Sequence, residues 1–456
     1  MVKTKKERVH FVCQSCGFES PRWLGRCTEC GEWNSMIEQK VIKSKKAPQS
    51  HSRQSIAPSP LDKVDFSQHS RITTGSSELN RVLGGGLVPG SVVLIGGDPG
   101  IGKSTLLLQA GITMSAQDFK VLYVSGEEST SQIKMRANRL NLNSSNLYLV
   151  SETSVQIILD FISQIKPNLI IIDSIQTVYS DELESAPGTI SQVRESAYHF
   201  ISTAKQNHIP LFLIGHVTKE GAIAGPKVLE HMVDCLLFFE GDRNHLYRIV
   251  RTVKNRFGST NEIGVFEMNE SGLQEVTNPS QMFLSHRDDN IPGSSIICAI
   301  EGTRPILLEI QALVTPTNYG YPQRSSTGID VKRLAMLLAV IDKRIGFRVS
   351  AQDVFINAVG GIRIDETAAD LGIVMAIISS IKNELIDHKS IIIGEVGLGG
   401  EVRAVPQIEK RINEARKLGF DSIYIPSSNS RNIGKKENLK ISPVSKIGDL
   451  VEQIFS

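Results

Sequence analysis

Short apolar runs alternate with stretches of helical length between about residues 67 and 275. Five of these runs are apolar along almost their whole length, which predicts strands that are buried on both faces of a sheet. They read SVVLIGG, KVLYVSG, PNLIIIDS, IPLFLIGH and HMVDCLLFFE. Because strands that alternate with helices usually pair in parallel, the pattern predicts an α/β domain over residues 67–275.

Other segments flank this domain. Residues 1–38 contain a compact cysteine-rich unit, and residues 39–66 are basic, rich in Ser and Pro and without periodicity, as is typical of a linker. Residues 285–456 begin with the apolar runs SSIICAIEG and PILLEIQALV, followed by Gly-rich turns and the helical stretches VKRLAMLLAVIDKR and AADLGIVMAIISSI. This last segment predicts a separate α+β domain.

Length and charge narrow the class of protein. A chain of 456 residues with 40% hydrophobic content supports two or three domains. No apolar run reaches the roughly 18 residues of a membrane helix, and the start lacks the apolar core of a signal peptide, so we expect a cytoplasmic protein without a membrane partner. Residues 1–60 hold eleven Lys and Arg against five Asp and Glu. This basic excess indicates either a solvated linker or contact with nucleic acid.

Residues 97–104 read GDPGIGKS and match the phosphate-loop pattern G-x-x-x-x-G-K-[ST] between a predicted strand and a predicted helix. Glycines let backbone N–H groups surround phosphate oxygens, and the helix N-terminus adds its positive dipole end. Lys103 would reach the β- and γ-phosphates of a nucleoside triphosphate, and the Ser104 hydroxyl would bind Mg²⁺. A glycine turn that fits by coincidence is the alternative. The predicted nucleotide-binding residues of this loop are Gly97, Asp98, Pro99, Gly100, Ile101, Gly102, Lys103, Ser104 and Thr105.

Acidic residues stand at the ends of two other predicted strands. Asp173 ends LIIID, as in a Walker B element, and we expect it to support Mg²⁺ and nucleotide binding. Glu127 and Glu128 follow KVLYVSG; we expect Glu127 to orient the attacking water, with Glu128 as the alternative. Helix capping is the structural explanation for such acids. His216 follows PLFLIG and is either a sensor of the γ-phosphate or a structural histidine.

Two further stretches carry cations. Residues 217–230 mix Gly, Pro and Lys, which predicts a mobile loop whose Lys219 and Lys227 could contact a nucleic-acid backbone. In VKNRFG, Lys254 and Arg256 are two residues apart, so on a strand both would point to the same side. Arginine stabilises the charge of a transferring phosphate and can come from a neighbouring subunit. A surface strand with two solvated cations is the alternative.

Four of the six cysteines form the pattern C-x2-C-x10-C-x2-C. Four thiolates suit one structural Zn²⁺ ion in a unit too small for a core of its own. The predicted ligands are Cys13, Cys16, Cys27 and Cys30. Between the pairs, Arg22, Trp23 and Arg26 suit either nucleic acid or a protein partner. Cys235 and Cys298 lie in apolar runs and are expected in the core.

The four-Cys unit, GGDPGIGKST, YVSGEES, LIIIDSIQT and KNRFG, in this order before a long C-terminal domain, closely resemble the bacterial RadA (Sms) family over essentially the full chain. The resemblance implies a RecA-like P-loop ATPase core that uses ATP, Mg²⁺ and one structural Zn²⁺ ion. It also implies a hexameric ring that moves on single-stranded DNA and promotes branch migration of branched recombination intermediates with RecA. Lys254 and Arg256 would then face ATP bound by the adjacent subunit.

The C-terminal segment resembles the proteolytic domain of Lon, which uses a Ser–Lys dyad. Aligning DETAADLGIVMA with the serine motif places Ala368 at the nucleophile, and aligning the lysine helix places Glu409 at the lysine, with Lys410 one position away. Because no acyl-enzyme forms without a hydroxyl, we expect a Lon-protease-like α+β domain that lacks the dyad. Its basic residues form either a DNA-binding surface or ordinary solvated charges. They are Arg324, Lys332, Arg333, Lys343, Arg344 and Arg348.

These features together predict a DNA-dependent ATPase or helicase that acts in homologous recombination and DNA repair. Two other classes stay open at this point. One is an ATP switch or scaffold with a RecA-like core but no translocation, of the circadian-clock or signalling kind. The other is an ATP-dependent protease, which the Lon-like segment favours and Ala368 opposes.

Overall fold

The protein consists of two compact units, Met1–Glu275 and Val276–Ser456. The domain bounds expected from the sequence stay predictions, because most of the linker 39–66 lies outside the residues that the structure describes. In this computed structural model those residues are 9–13, 18–29, 31–40, 60, 71–216, 229–241, 247–284, 291–317, 320–361, 363–433 and 439–455.

The first 40 residues contain a small antiparallel sheet, in which the central strand pairs with both of the others. The strands are β1 (Val9–Cys13), β2 (Glu19–Ser20) and β3 (Met36–Lys40). The core beside them contains the buried side chains of Cys13, Cys27 and Met36 with a few partly buried apolar neighbours. Because this core is small, it gives little hydrophobic stabilisation. The unit therefore needs another source of stability.

A large sheet forms the centre of the first unit. Its strands are β4 (Val92–Gly97), β5 (Val121–Ser125), β6 (Leu147–Ser151), β7 (Leu169–Asp173), β8 (Leu211–Ile214), β9 (Cys235–Glu240), β10 (Tyr247–Asn255), β11 (Ile263–Asn269) and β12 (Gly272–Glu275). Their order is β12-β11-β10-β9-β4-β8-β7-β5-β6. The five apolar runs became the adjacent parallel strands β9, β4, β8, β7 and β5.

Strand β6 was not predicted from the sequence. It pairs with β5 at the edge of the sheet, and its side chains are only partly buried or exposed. Its apolar run LYLV is as long as the VLYV of β5, so the signal of a strand was present in the sequence and β6 was overlooked.

Helices cover both faces of this sheet. They are α1 (Ser77–Val82), α2 (Lys103–Ser115), α3 (Thr130–Arg139), α4 (Val155–Ile165) and α5 (Ile190–Gln206). One core contains apolar side chains of α1, α2 and α3, and a second core contains those of α4 and α5. Alternate residues of β4 enter the two cores, with Val93 and Ile95 in the first and Val92 and Leu94 in the second. Burial on both faces is the reason why these strands are apolar throughout.

The second unit is α+β. Its strands are β13 (Ser294–Glu301), β14 (Arg304–Pro316), β15 (Arg324–Thr327), β16 (Gln352–Ala358), β17 (Ser390–Ile392), β18 (Glu395–Val396), β19 (Val402–Arg403), β20 (Ser422–Pro426) and β21 (Lys440–Val444). Its helices are α6 (Pro279–Leu284), α7 (Val331–Val340), α8 (Asp370–Lys382), α9 (Ile408–Lys417) and α10 (Ile447–Phe455).

The main sheet of this unit is mixed, in the order β15-β16-β14-β13-β17-β20-β21, and β18 pairs with β19. The two predicted helical stretches form α7, which continues into a π-helical turn at Ile341–Ile345, and α8. Among the described residues of the whole chain, no helix combines the length and apolar character that are needed to cross a membrane.

Candidate active site

The predicted phosphate loop connects the carboxyl end of β4 to the N-terminus of α2. Gly97 has φ 149°, and a Cβ on it would lie 2.6 Å from the carbonyl oxygen of Phe239 on β9. Gly102 has φ 119° and precedes the first residue of α2. Only glycine adopts this backbone at such close approach. The three residues after Gly97 are exposed, so the loop and the unsatisfied N–H groups of the first helical turn are accessible to a phosphate chain.

Lys103 is the first residue of α2, and its side chain turns back under the loop. Its Nζ donates to the carbonyl oxygens of Gly97 at 2.7 Å and Asp98 at 2.8 Å, and the residue is only 3% exposed. Burial lowers the pKa of Lys103 from 10.5 to about 8, although the charges of Asp173, Asp98 and Glu127 oppose the shift. Bound phosphates would offer anionic oxygens in place of the two carbonyls.

The other loop residues differ in how deeply they are buried. Ile101 is buried in the core on the α2 face of the sheet. Ser104 and Thr105 are partly buried in the first turn of α2, where their hydroxyls belong in the P-loop pattern.

Arg248 on β10 supports the loop and was not predicted from the sequence. It donates through Nε to the carbonyl oxygen of Ile101 at 3.2 Å. Arg248 is 8% exposed, but its strand also contains Arg251 and Lys254, so no pattern in the sequence singles it out.

Asp173 ends β7 and is 4% exposed. The hydroxyl of Tyr123 on β5 donates to its Oδ2 at 2.6 Å. Burial, assisted by the negative charge of Asp173, raises the pKa of Tyr123 well above 10, so the phenol stays protonated and remains a donor. Asp173 was predicted from the sequence, and Tyr123 was not.

Glu127, Ser174 and His216 lie together beside this carboxylate. The Glu127 Oε1 accepts from Ser174 Oγ at 2.7 Å and lies 3.0 Å from His216 Nε2. The hydrogen bond with His216, followed by that with Ser174, lowers the pKa of Glu127 to about 2 despite partial burial. Glu127 is therefore an anion at neutral pH, as a group that orients water must be.

Glu128 points elsewhere. Its Oε2 lies 2.8 Å from the Arg136 Nη2 of helix α3. Of the two acids that the sequence left open, only Glu127 is brought together with His216 and Ser174.

The KNRFG segment lies at the opposite ends of the central strands from the phosphate loop. Strand β10 runs antiparallel to β9, so Asn255 is opposite Cys235 at the start of β9. Cys235 pairs in turn with Val93 near the beginning of β4, whereas the phosphate loop leaves from Gly97 at its end. Four strand residues span about 13 Å. Arg256, which follows Asn255, is therefore remote from the phosphate loop of its own chain.

Both cations of this segment are held by residues that precede β9. Arg256 Nη1 lies 3.2 Å from Oδ1 of the buried Asp234, while the arginine side chain stays 53% exposed. Lys254 donates through Nζ to the carbonyl oxygen of Glu230 at 2.5 Å. The expectation that both cations stand on one strand is wrong for Arg256, because β10 ends at Asn255.

The cysteine-rich unit has the features of a metal site. Cys13 and Cys27 belong to different pairs of the motif, yet both are buried in one small cluster, as ligands of a single ion must be. Cys16 and Cys30 lie outside the described residues. The thiol of Cys13 also lies 3.1 Å from the Ser35 hydroxyl. The donor set fits the Zn²⁺ expected there.

The residues between the two Cys pairs are partly engaged. Trp23 is 54% exposed, and its indole N–H donates to the carbonyl oxygen of Met36 at 3.2 Å. Arg26 lies over the ring of Trp33 at 5.7 Å and donates to the Gly31 carbonyl oxygen at 2.9 Å. Arg22 is exposed.

In the second unit, the position aligned with a catalytic serine belongs to the core. Ala368 is 3% exposed and packs in a cluster with Ile296 and Ile393. Glu409 and Lys410 are exposed at the start of α9, and the Lys410 ammonium contacts the Thr303 carbonyl oxygen at 3.5 Å. A buried methyl group in place of the hydroxyl leaves this position without a nucleophile.

The buried cation of helix α9 is Arg411, which the sequence reasoning missed. Its side chain is fully buried and donates to both oxygens of Glu366, at 2.8 and 2.6 Å, and to the carbonyl oxygens of Cys298 and Pro406. Arg411 falls on the same helical stripe as Ile412 and Ala415, which was the signal for its burial. Cys235 and Cys298 are buried as expected, and burial raises the pKa of both thiols.

Three family models each match one region of the chain. A model described as an AAA domain matches residues 57–222, one described as a rubredoxin metal binding domain matches residues 11–38, and one described as subunit ChlI of Mg-chelatase matches residues 330–429.

Proteins named DNA repair protein RadA match almost the whole chain. The identity is 51% for that of Halalkalibacterium halodurans and 50% for that of Bacillus subtilis, each with 98% of both chains covered. It is 47% for that of Listeria monocytogenes, with 99% of both covered. The chain belongs to the RadA family.

Membership of the RadA family confirms the resemblance seen in the motifs, and the matches confirm the predicted fold class. A metal-binding module precedes an α/β P-loop ATPase core, which an α+β domain follows. The AAA match makes this RadA-family chain an ATPase with a nucleotide site, and the rubredoxin-type match implies a bound metal ion.

The basic residues of the second unit have different surroundings. Arg333 forms a two-pronged ion pair with the buried Asp370, with Nε 2.9 Å from Oδ1. Arg344 donates through Nε to the Leu398 carbonyl oxygen at 3.2 Å. Arg344 is exposed, as are Arg324, Lys332, Lys343 and Arg348. In the first unit, Lys219 and Lys227 lie outside the described residues.

Proposed function

We propose that this RadA-family chain is an ATP-driven motor on single-stranded DNA and branched intermediates, acting with RecA in homologous recombination and DNA repair. Its ring, which we take to be hexameric, would hydrolyse ATP at sites shared by neighbouring subunits. The name of its relatives supports the repair role. The observation that supports a shared site is the position of Lys254 and Arg256. They lie at the opposite ends of the strands from the phosphate loop of their own chain.

Each residue of the nucleotide site has a distinct task in this proposal. The loop N–H groups and Lys103 would hold the phosphates, and Ser104 and Asp173 would hold Mg²⁺. Bound Mg²⁺ supplies neutralisation of phosphate charge. Glu127 would orient the attacking water through Oε2, because its Oε1 is already occupied by Ser174 and His216.

The contact between His216 and Glu127 links this site to the next segment of the chain. A sensor in this position would report the presence of the γ-phosphate to residues 217–230, which follow it directly. We assign DNA contact in this segment to Lys219 and Lys227. Hydrolysis would then change both the loop and the contact with the neighbouring subunit.

Arg256 and Lys254 would complete the ATP site of the adjacent subunit. The carboxylate of Asp234 contacts one guanidinium nitrogen of Arg256, Nη1, and more than half of the arginine side chain stays exposed, as a residue that serves a neighbour requires. Cys13, Cys16, Cys27 and Cys30 would hold Zn²⁺ in the N-terminal module. This ion supplies the stability that the module's small core does not.

Mixing two inactive variants tests the shared site. We expect Lys103→Ala and Arg256→Ala each to lose ATP turnover while they still form the oligomer. In randomly mixed rings, an active site needs an intact loop from the Arg256→Ala subunit and an intact arginine from a Lys103→Ala neighbour. At equal amounts about one quarter of the sites meet this condition, so about a quarter of the wild-type rate should return.

The double variant Lys103→Ala/Arg256→Ala is the matched control, because mixing it with either single variant completes no site. A mixture of the single variants that never exceeds the sum of its separate rates would refute the shared site. Movement is tested separately by branch migration on a labelled three-strand junction with ATP. ATPase stimulation by single-stranded DNA without branch migration would support the switch or scaffold instead.

A further inference from the structure

Tyr123 is a polar residue in the middle of an apolar strand. Strand β5 reads VLYVS, its residues are buried throughout, and the side chain of Tyr123 is fully buried. Its ring packs in the core on the α2 face of the sheet. A phenol at such a position costs free energy unless its hydroxyl finds a partner, whereas an aliphatic residue would fill the same core without that condition.

The register of the sheet brings this hydroxyl to the nucleotide site. Tyr123 pairs with Ile171 on β7, and Ser125, two residues further on, pairs with Asp173. Tyr123 and Ser125 face the same side of the sheet, since side chains alternate along a strand. The phenol extends along the strands by about two residues' length, and its Oη reaches Oδ2 of Asp173 at 2.6 Å.

The hydroxyl also has a neighbour on its other side. Arg136 Nη2 lies 3.5 Å from Tyr123 Oη and 2.8 Å from Glu128 Oε2. Arg136 belongs to helix α3, which begins three residues after Glu127. The phenol therefore donates to the strand that carries Asp173 and faces a cation from the helix that follows the candidate base.

We propose that Tyr123 is a positioning residue for ATP hydrolysis, which fixes Asp173 through Oδ2 and leaves Oδ1 as the carboxylate oxygen that would hold Mg²⁺. The inference rests on the proposed function of Asp173 and adds a residue that does not itself touch nucleotide. A short bond from a fully buried phenol removes the rotation that Asp173 would otherwise keep. Mutation of such outer-shell partners typically costs about 10- to 100-fold in metal affinity or activity, and a loss of affinity is compensated when the metal is saturating.

Tyr123→Phe tests the inference, because it removes the hydroxyl and keeps the ring that the core needs. We expect the Mg²⁺ concentration for half-maximal ATP turnover to rise about tenfold, with turnover at saturating Mg²⁺ reduced far less. Direct binding gives a second readout: electron paramagnetic resonance should show that the complex with ADP binds Mn²⁺ about tenfold more weakly. Thermal unfolding of each variant verifies that the chain is folded.

Tyr148→Phe is the matched control. Tyr148 lies on the neighbouring strand β6, is 38% exposed, and its hydroxyl makes no hydrogen bond to the described residues. The same chemical change there should leave the dependence on Mg²⁺ and the affinity for Mn²⁺ unchanged. A loss of metal affinity in Tyr123→Phe alone supports the positioning role.

Asp173→Asn separates failure of the inference from failure of the proposed function. If Asp173→Asn weakens Mn²⁺ binding and turnover while Tyr123→Phe matches the wild type in both metal assays, Tyr123 does not position the carboxylate and the inference is overturned. If Asp173→Asn itself leaves both metal assays unchanged, the role proposed for Asp173 is wrong and the inference is overturned with it.

Discussion

Raising the pH should weaken ATP binding, because the ammonium group of Lys103 loses its proton at mildly alkaline pH. Burial favours the uncharged amine and brings the pKa of Lys103 to about 8 in the nucleotide-free protein. A triphosphate prefers the charged form, so affinity is lost as the pH rises through this value. With a pKa of about 8, roughly nine-tenths of the lysine is protonated at pH 7 and roughly one-tenth at pH 9. The apparent Kd should therefore rise about tenfold between pH 7 and pH 9.

Isothermal titration calorimetry at pH 7, 8 and 9 measures this change. Comparison of two buffers with different ionisation enthalpies should also show uptake of nearly one proton per ATP at pH 9. Lys103→Arg is the control, since a guanidinium stays charged over the whole range and should give weaker but pH-independent binding. A flat Kd in the wild type, or an equal slope in Lys103→Arg, would refute the reasoning.

Three further predictions concern other parts of the chain. Glu127→Gln should reduce ATP turnover at least about hundredfold but preserve nucleotide binding, as compared by single-turnover and equilibrium assays. Arg411→Met, which strands the Glu366 carboxylate, should lower the free energy of unfolding of the second unit by about 3 kcal/mol in chemical denaturation; recovery is expected in Arg411→Met/Glu366→Gln, and a neutral single variant would contradict this. Cys27→Ser should lose the metal in elemental analysis and expose residues 9–40 to proteolysis, with ATP turnover retained; unchanged metal content would argue against a shared ion.

Local patterns were sufficient for the fold class and for the phosphate loop. Central parallel strands are covered on both faces, so β4, β5, β7, β8 and β9 had to be apolar runs that a single sequence displays. Gly97, Gly100 and Gly102 all have positive φ, a local backbone requirement, so the motif is visible without tertiary contacts. Edge strand β6 also has an apolar run, LYLV, so local pattern was sufficient for it too although it was overlooked.

Local patterns could not show which residues act together when their role depends on contacts between distant segments. Glu127 and Glu128 are adjacent in sequence and chemically alike, and only the ends of β7 and β8 show that Glu127 meets Ser174 and His216. The buried ion pair of Arg411 with Glu366 joins residues 45 positions apart. The helical stripe indicated that Arg411 is buried, but not which carboxylate would compensate its charge.

The sequence by itself determined that this chain has a metal-binding module, a phosphate-loop ATPase core and a C-terminal domain without the serine of the Lon-type proteases that the domain resembles. These conclusions rest on residue types at short, fixed spacings. The tertiary structure decided which residues meet. The Tyr123 hydroxyl donates to the carboxylate of Asp173, and Arg256 lies at the strand ends away from the phosphate loop of its own chain. Strand order and register set those positions, and both arise from long-range pairing that no local spacing encodes.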